Sequence, residues 1–315
     1  MRIDEKRLKE ARELSWNLHG RHITFYLPGM FTYNGKRGRY AAISITSHSC
    51  ELLCRHCMGK ILKGMIPVKS SEELFKKGIE RWQRGDHGLL LSGGCDRRGR
   101  LPWEEFLDAI YEVKKSTGMY ISIHSGMVDT ELARSLKEAG VDQALMDVIG
   151  DDDTWKNVYH IEDGVRKILN TMEAFKEVGI SIIPHILCGI HEGNLRGEWK
   201  AVEMVSDFRP ECIVVVSLMP LRGTPYERVK PLSAAEILKV ILEVRKKSPH
   251  SLISLGCARR RGDMEVELLS IDAGVNRMAL PSEEAIKRAK EYGLEIRYQK
   301  TCCSVPEHFL SNLNF

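Results

Sequence analysis

The sequence predicts an α/β fold, a TIM-like (βα) barrel, full or nearly full at eight units, with an N-terminal helix and a short C-terminal tail. Three observations predict it. Short apolar runs alternate with amphipathic stretches along almost all of the 315 residues, which is the pattern of parallel βα units. Serine and glycine punctuate the helix boundaries. The residues best suited to chemistry fall at or just after the ends of the apolar runs, where parallel α/β folds gather their loops.

In chain order, the segment Asp4–His19 reads as a helix, and a Gly/Tyr-rich lead-in without regular structure carries the chain to Tyr40. Strands are expected at Ala41–Thr46, Gly88–Leu91, Met119–His124, Gln143–Val148, Ile180–Leu187, Cys212–Leu218, Ser251–Leu255 and Arg277–Leu280. Between them lie helix-like segments such as Trp103–Thr117, Thr130–Ala139, Ile161–Val178, Ala234–Lys247 and Ser282–Tyr292. Ser71 and Ser233 are placed to cap helix N-termini, and Gly118, Gly140 and Gly179 to stop helices. The expected division is residues 1–40 as helix and lead-in packing on the barrel, 41–293 as the barrel, and 294–315 as a tail.

Composition narrows the function classes. Hydrophobic residues make up 43% of the chain, enough for a sizeable core, and the 47 basic and 43 acidic residues leave a net charge of only +4. No long basic run suggests nucleic acid. No stretch approaches the roughly 20 apolar residues of a membrane span, and the charged N-terminus does not read as a signal peptide. A cytoplasmic enzyme is expected, and in a reducing compartment clustered cysteines bind metal more often than they pair.

One cluster stands out. Cys50, Cys54 and Cys57 follow the first expected strand with spacings that let one loop present three thiolates. Iron–sulfur clusters are usually held by four cysteines, so three would leave one iron open to a small ligand. The alternative is zinc completed by His48 or His56, but zinc sites favour paired two-residue spacings and no second pair lies nearby. Cys95, His124, Asp147, Cys188 and Cys257 also sit at strand ends. Cys212 starts its strand and reads as a buried structural thiol, and Cys188 is out of phase with His185 along its strand.

The loop resembles the CxxxCxΦC motif of the radical S-adenosylmethionine (SAM) superfamily, with His56 at the position that is usually aromatic. The resemblance implies a 4Fe–4S cluster on Cys50, Cys54 and Cys57, with SAM on the fourth iron and a 5′-deoxyadenosyl radical as product of its cleavage. It also implies SAM contacts from His56, His124 and Gly93–Gly94, where Cys95 stands in the usual acidic position. Asp147 is similar to a ribose-binding carboxylate, and Gly189 and Ile190 lie in a stretch similar to one that contacts adenine.

The remaining cysteines point to the reaction. Cys95, Cys257 and the adjacent pair Cys302 and Cys303 are separate in sequence yet expected near the active face, where they could hold a second 4Fe–4S cluster. Arg259-Arg260-Arg261 reads either as a solvated loop or as an anion site beside such a cluster. The segments LLLSGGCDRRGRLPW, SIHSGMVD, MDVIGDDD, SIIPHILCGIHEG, SLMPLRGTP and SLGCARRRG resemble biotin synthase homologues, and among them a subunit of the two-protein lipoyl synthase. That resemblance implies a sulfurtransferase acting on an octanoylated lipoyl-carrier protein or peptide in one of two sulfur-attachment steps, at the terminal carbon or at C6, with the terminal carbon preferred. Its implied partners are a second radical SAM subunit and a low-potential electron donor such as ferredoxin. The alternative is another radical SAM enzyme, biotin synthase-like, methyltransferase or maturase-like, without sulfur transfer.

Overall fold

The computed structural model describes residues 4–33 and 35–310. Helix α1 (Glu5–His19) begins where Asp4 accepts a hydrogen bond from the Arg7 N–H at 3.1 Å. Strand β1 (His22–Tyr26), the hairpin of β2 (Thr32–Tyr33) and β3 (Lys36–Arg37), and β4 (Tyr40–Ser44) follow. After the cysteine loop and the short β5 (Ile66–Pro67), helices and strands alternate: α2 (Ser71–Gln83), β6 (Gly88–Ser92), α3 (Leu107–Thr117), β7 (Tyr120–His124), α4 (Thr130–Glu138) and β8 (Gln143–Val148). Two helices come next, α5 (Asp152–Tyr159) and α6 (Gly164–Val178), then β9 (Ser181–Cys188), α7 (Glu198–Phe208) and β10 (Cys212–Ser217). The series closes with α8 (Ala234–Lys247), β11 (Leu252–Leu255), α9 (Met264–Asp272), β12 (Arg277–Ala279), α10 (Glu283–Glu291) and β13 (Glu295–Gln299).

All of these strands except the small hairpin join one 11-stranded parallel sheet in the order β13-β1-β12-β11-β10-β9-β8-β7-β6-β4-β5. Strands β4, β6, β7, β8, β9, β10, β11 and β12 form the expected eight-unit (βα) series. Among the described residues the ladder is not closed, since β13 and β5 lie at its two ends. The chain reaches across that seam through Arg39 N–H, just before β4, to the Lys300 oxygen, just after β13, at 2.6 Å.

Five strands lie outside the expected set: β1, the hairpin strands β2 and β3, the short β5, and β13. Strand β1 arises within the supposed irregular lead-in, and β13 within the tail. The β1 residues Ile23, Thr24, Phe25 and Tyr26 are buried, as β-branched and aromatic residues in a covered strand should be. Parallel pairing of β1 to both β12 and β13 supplied what local pattern could not signal. The α2 cap is Ser70, one residue earlier than expected, whereas Ser233 forms a capping box with Glu236.

The core has two compartments. One lies between the sheet and its helices, around Trp103, Phe106, Phe175 and the buried aliphatic residues. The other is the barrel lumen, where Leu145, Ile183, Val214 and Val216 meet Tyr26, Tyr40 and Tyr120. Beyond β13 the tail turns into this lumen: Thr301, Cys302, Cys303, Ser304 and Val305 are all buried. Gln143 Nε2 donates to the Ser304 carbonyl at 3.2 Å and Tyr26 Oη to the Val305 carbonyl at 3.3 Å. The tail thus plugs the barrel. Its buried backbone oxygens take hydrogen bonds from lumen side chains, as buried carbonyls require.

Candidate functional site

The cysteine loop is held from three sides. Ile45 N–H donates to Ser92 oxygen at 2.8 Å, Glu51 N–H to Cys95 oxygen at 2.9 Å, and Arg55 N–H to Val158 oxygen at 2.9 Å. Within it Ser47, Leu53 and Met58 adopt positive φ of 55°, 45° and 48°. Left-handed backbone at non-glycine residues costs about 1–3 kcal/mol each and persists only where the surroundings impose it. The loop therefore stores strain to present its thiols. Cys54 and Cys57 are buried and Cys50 is half-buried.

The Gly93–Gly94 turn lies directly against this loop. The Gly94 N–H donates to Thr46 Oγ1 at 2.6 Å, and Thr46 Oγ1 donates to the Ser49 carbonyl at 2.9 Å. A Cβ at Gly94 would stand 2.0 Å from the Ser49 oxygen, so only glycine fits there.

Asp147, His124 and His185 line the lumen beside the loop. Burial raises the Asp147 carboxyl, with His124 and His56 opposing. Burial lowers His124, and it drives His185 down to about 3 with further lowering by His124. The two imidazoles face each other with ring centroids 5.2 Å apart. His185 Nδ1 is 3.1 Å from the Ile183 oxygen, so in the neutral ring Nδ1 carries the proton and Nε2 a lone pair. His185 was absent from the expected site residues. The signal available was its place in phase with Asp147, to which it is paired in register.

Burial and hydrogen bonding also separate the loop thiols. Interaction with Cys54 holds Cys57 low, against the opposing effect of desolvation, and the same interaction pushes Cys54 up. Among the described residues no three His, Cys, Asp or Glu side chains form a cage for a single metal ion. The donor set suits a cluster, in which each thiolate serves a different iron. The side chains around it suit a polar ligand as well: Ser44 Oγ, His56 Nδ1 and Tyr159 Oη are buried without hydrogen-bond partners.

Gly189 and Ile190, expected beside adenine, have their backbone groups engaged elsewhere. The Gly189 N–H donates to Glu198 Oε1 at 2.7 Å, and the Ile190 carbonyl accepts from Tyr226 Oη at 3.1 Å.

The four cysteines expected to share a second cluster divide. Cys95 stays with the first loop: its carbonyl accepts from Glu51 and Leu52, and Cys50 Sγ lies 3.8 Å from the same oxygen. Burial raises the Cys95 thiol to about 12, with Cys50 next in effect. It follows β6, five places along the sheet from β11, which Cys257 follows; the grouping of Cys95 with Cys257 is corrected accordingly. Cys257, Cys302 and Cys303 do come together at the lumen. Burial raises Cys257 to about 11 with Cys302 adding to it, while a hydrogen bond from Cys303 lowers Cys302 to about 6. Cys212 is buried as expected, but it faces the lumen, where burial raises its thiol and the Arg277 charge opposes that rise. Cys188 is buried in the outer layer.

The arginine run also divides. Arg259 is buried, donates to Gly256 oxygen at 2.7 Å and pairs with Glu267 at 2.7 Å, so it is neither a solvated residue nor an open anion site. Arg261 donates to the Cys257 carbonyl at 2.7 Å and lies over the Phe31 ring.

A parallel (βα) barrel with three thiols on the loop after β4, glycines pressed against them and a polar lumen beside them defines an iron–sulfur enzyme framework. The sequence profile of the radical SAM superfamily matches residues 44–205, and the chain belongs to that superfamily. It is 24% identical over 247 residues to a biotin synthase of Halorhodospira halophila, covering 76% of this chain and 74% of that one. It is also 24% identical over 267 residues to 3-methylornithine synthase of Methanosarcina acetivorans, covering 84% and 75%. In fold it is similar to methylornithine synthase (TM-score 0.64, 18% identity, 93% and 88% covered). It is likewise similar to the hydrogenase maturase HydG of Carboxydothermus hydrogenoformans (0.67, 17%, 93% and 72%). The chain is thus a radical SAM enzyme with biotin synthase-like relatives. No helix of the described residues is long and apolar enough to cross a membrane.

Proposed function

We propose that this enzyme inserts sulfur into a protein-bound octanoyl chain, at its terminal carbon, as one of the two sulfur-attachment steps of lipoyl cofactor formation. One observation carries the reading: a second set of thiols, Cys257, Cys302 and Cys303, meets at the lumen apart from the cysteine loop. A buried guanidinium accompanies them. Arg277 is 2% exposed, its Nε has no partner, and its other contacts are long: the Cys303 and Ser304 carbonyls at 3.4 Å and the Glu211 carboxylate at 3.7 Å. A buried cation so incompletely paired suits an anionic neighbour such as a thiolate-bound cluster.

Each part of the chain then has a task. Cys50, Cys54 and Cys57 would hold the SAM cluster, with Gly93, Gly94, His124 and Asp147 around the bound SAM. Cys257, Cys302 and Cys303 would hold a second 4Fe–4S cluster. Bound SAM with its cluster supplies a 5′-deoxyadenosyl radical, and the second cluster supplies sulfur. The tail closes the lumen against water. The carrier protein, a second radical SAM subunit and a low-potential electron donor complete the reading.

The test is anaerobic incubation of the reconstituted enzyme with reductant, SAM and an octanoylated carrier peptide, followed by mass spectrometry. A peptide gaining the mass of sulfur is expected; SAM cleavage with no gain, even with the candidate partner subunit present, overturns the reading. Similarity to a 3-methylornithine synthase favours a second reading, a radical SAM enzyme without sulfur transfer. That reading predicts iron for a single cluster.

A further inference from the structure

Tyr159 ends α5 in the outer wall of the cysteine loop. It is 5% exposed and its ring is packed between His56 at 5.1 Å and Trp155 at 4.9 Å between centroids. The preceding carbonyl, of Val158, accepts the Arg55 N–H at 2.9 Å and fixes the helix end to the loop. Yet the Tyr159 hydroxyl is buried without any hydrogen-bond partner. Such groups are few in folded proteins and each costs about 1–3 kcal/mol. A phenylalanine would fill the same space without that cost.

The hydroxyl's charged neighbours indicate what it serves. Asp147, Cys54 and Cys57 lie near it, and a phenol carries one O–H to donate. It is therefore a donor in search of an acceptor. Nearby Tyr226 shows the contrast: its hydroxyl is satisfied by the Ile190 carbonyl at 3.1 Å.

We infer that Tyr159 is a SAM-binding residue whose hydroxyl donates a hydrogen bond to an oxygen of SAM when SAM occupies the open iron. This rests on the superfamily's SAM chemistry and not on sulfur insertion, so the two stand or fall separately. The experiment compares the native protein with Tyr159→Phe and Tyr226→Phe, each reconstituted with iron and sulfide. Thermal unfolding is followed without SAM and with saturating SAM, and SAM affinity is measured by equilibrium dialysis.

Tyr159→Phe should bind the same iron, unfold at the same or a higher temperature without SAM, and bind SAM about tenfold more weakly. Tyr226→Phe should lose stability equally with and without SAM and keep its affinity. A Tyr159→Phe protein with native SAM affinity overturns the inference. So does one that loses iron or stability on cluster loading before SAM is added, since the acceptor would then be a cluster sulfur.

Discussion

Gly94 lies so close to Cys50 that a Cβ on the glycine would stand 2.5 Å from the Cys50 Cβ. The turn after β6 and the cysteine loop after β4 are therefore one packed unit, and the position of the thiols depends on an absent side chain.

Gly94→Ala should force the loop outward. The clash is with backbone, at Ser49, so no flexible side chain can yield. A stability cost of about 2 kcal/mol is expected from overpacking of this kind, with loss of iron from the cysteine loop. Thermal melting and iron analysis check it. Native iron content with normal SAM cleavage would show that the loop does not need the turn.

His185 should make stability depend on pH. Its folded value is about 3 against 6.5 unfolded, so below pH 6.5 the unfolded chain takes up a proton that the folded chain refuses. The contribution is present above pH 6.5 and is lost as pH falls towards 3. Between pH 6.5 and 5 it amounts to about 2 kcal/mol. Urea unfolding of the native protein and His185→Gln at both pH values measures it; His124, which faces His185, adds a slope common to both. Parallel slopes for the two proteins would contradict the prediction.

Much of this was legible in the sequence. The eight strands β4 and β6 to β12 stand where alternation predicts, because each is a covered strand bounded by turn or cap residues. The cysteine loop was legible because its three cysteines are local in sequence. The second thiol set was only partly so: Cys257 and the Cys302–Cys303 pair are joined by a tail that enters the lumen, a long-range contact no local pattern encodes. Cys95 misled because its strand-end position is shared by residues on opposite sides of the barrel. Tyr159 and Arg277 were invisible for another reason. What marks them is a hydroxyl without a partner and a buried guanidinium held only by long contacts, and both are properties of packing.

Arg277→Met should behave differently in the two states of the protein. In iron-free protein the loss is small, because the guanidinium is buried with long, incomplete hydrogen bonds and replacing it by an apolar side chain removes a desolvation cost. In reconstituted protein the second set of irons should be lost while SAM cleavage continues. Melting of the iron-free protein and iron analysis after reconstitution check both halves. A large loss of stability without iron, and none of the iron missing afterwards, would make Arg277 purely structural.

If two thiol sets hold two clusters, iron and sulfide per chain after anaerobic reconstitution reads both at once. The native protein should carry about eight irons, as two four-iron clusters require. A variant with serine at Cys257, Cys302 and Cys303 should carry about four and still release 5′-deoxyadenosine from SAM. A native protein holding only about four, or a triple variant still holding about eight, would contradict the account.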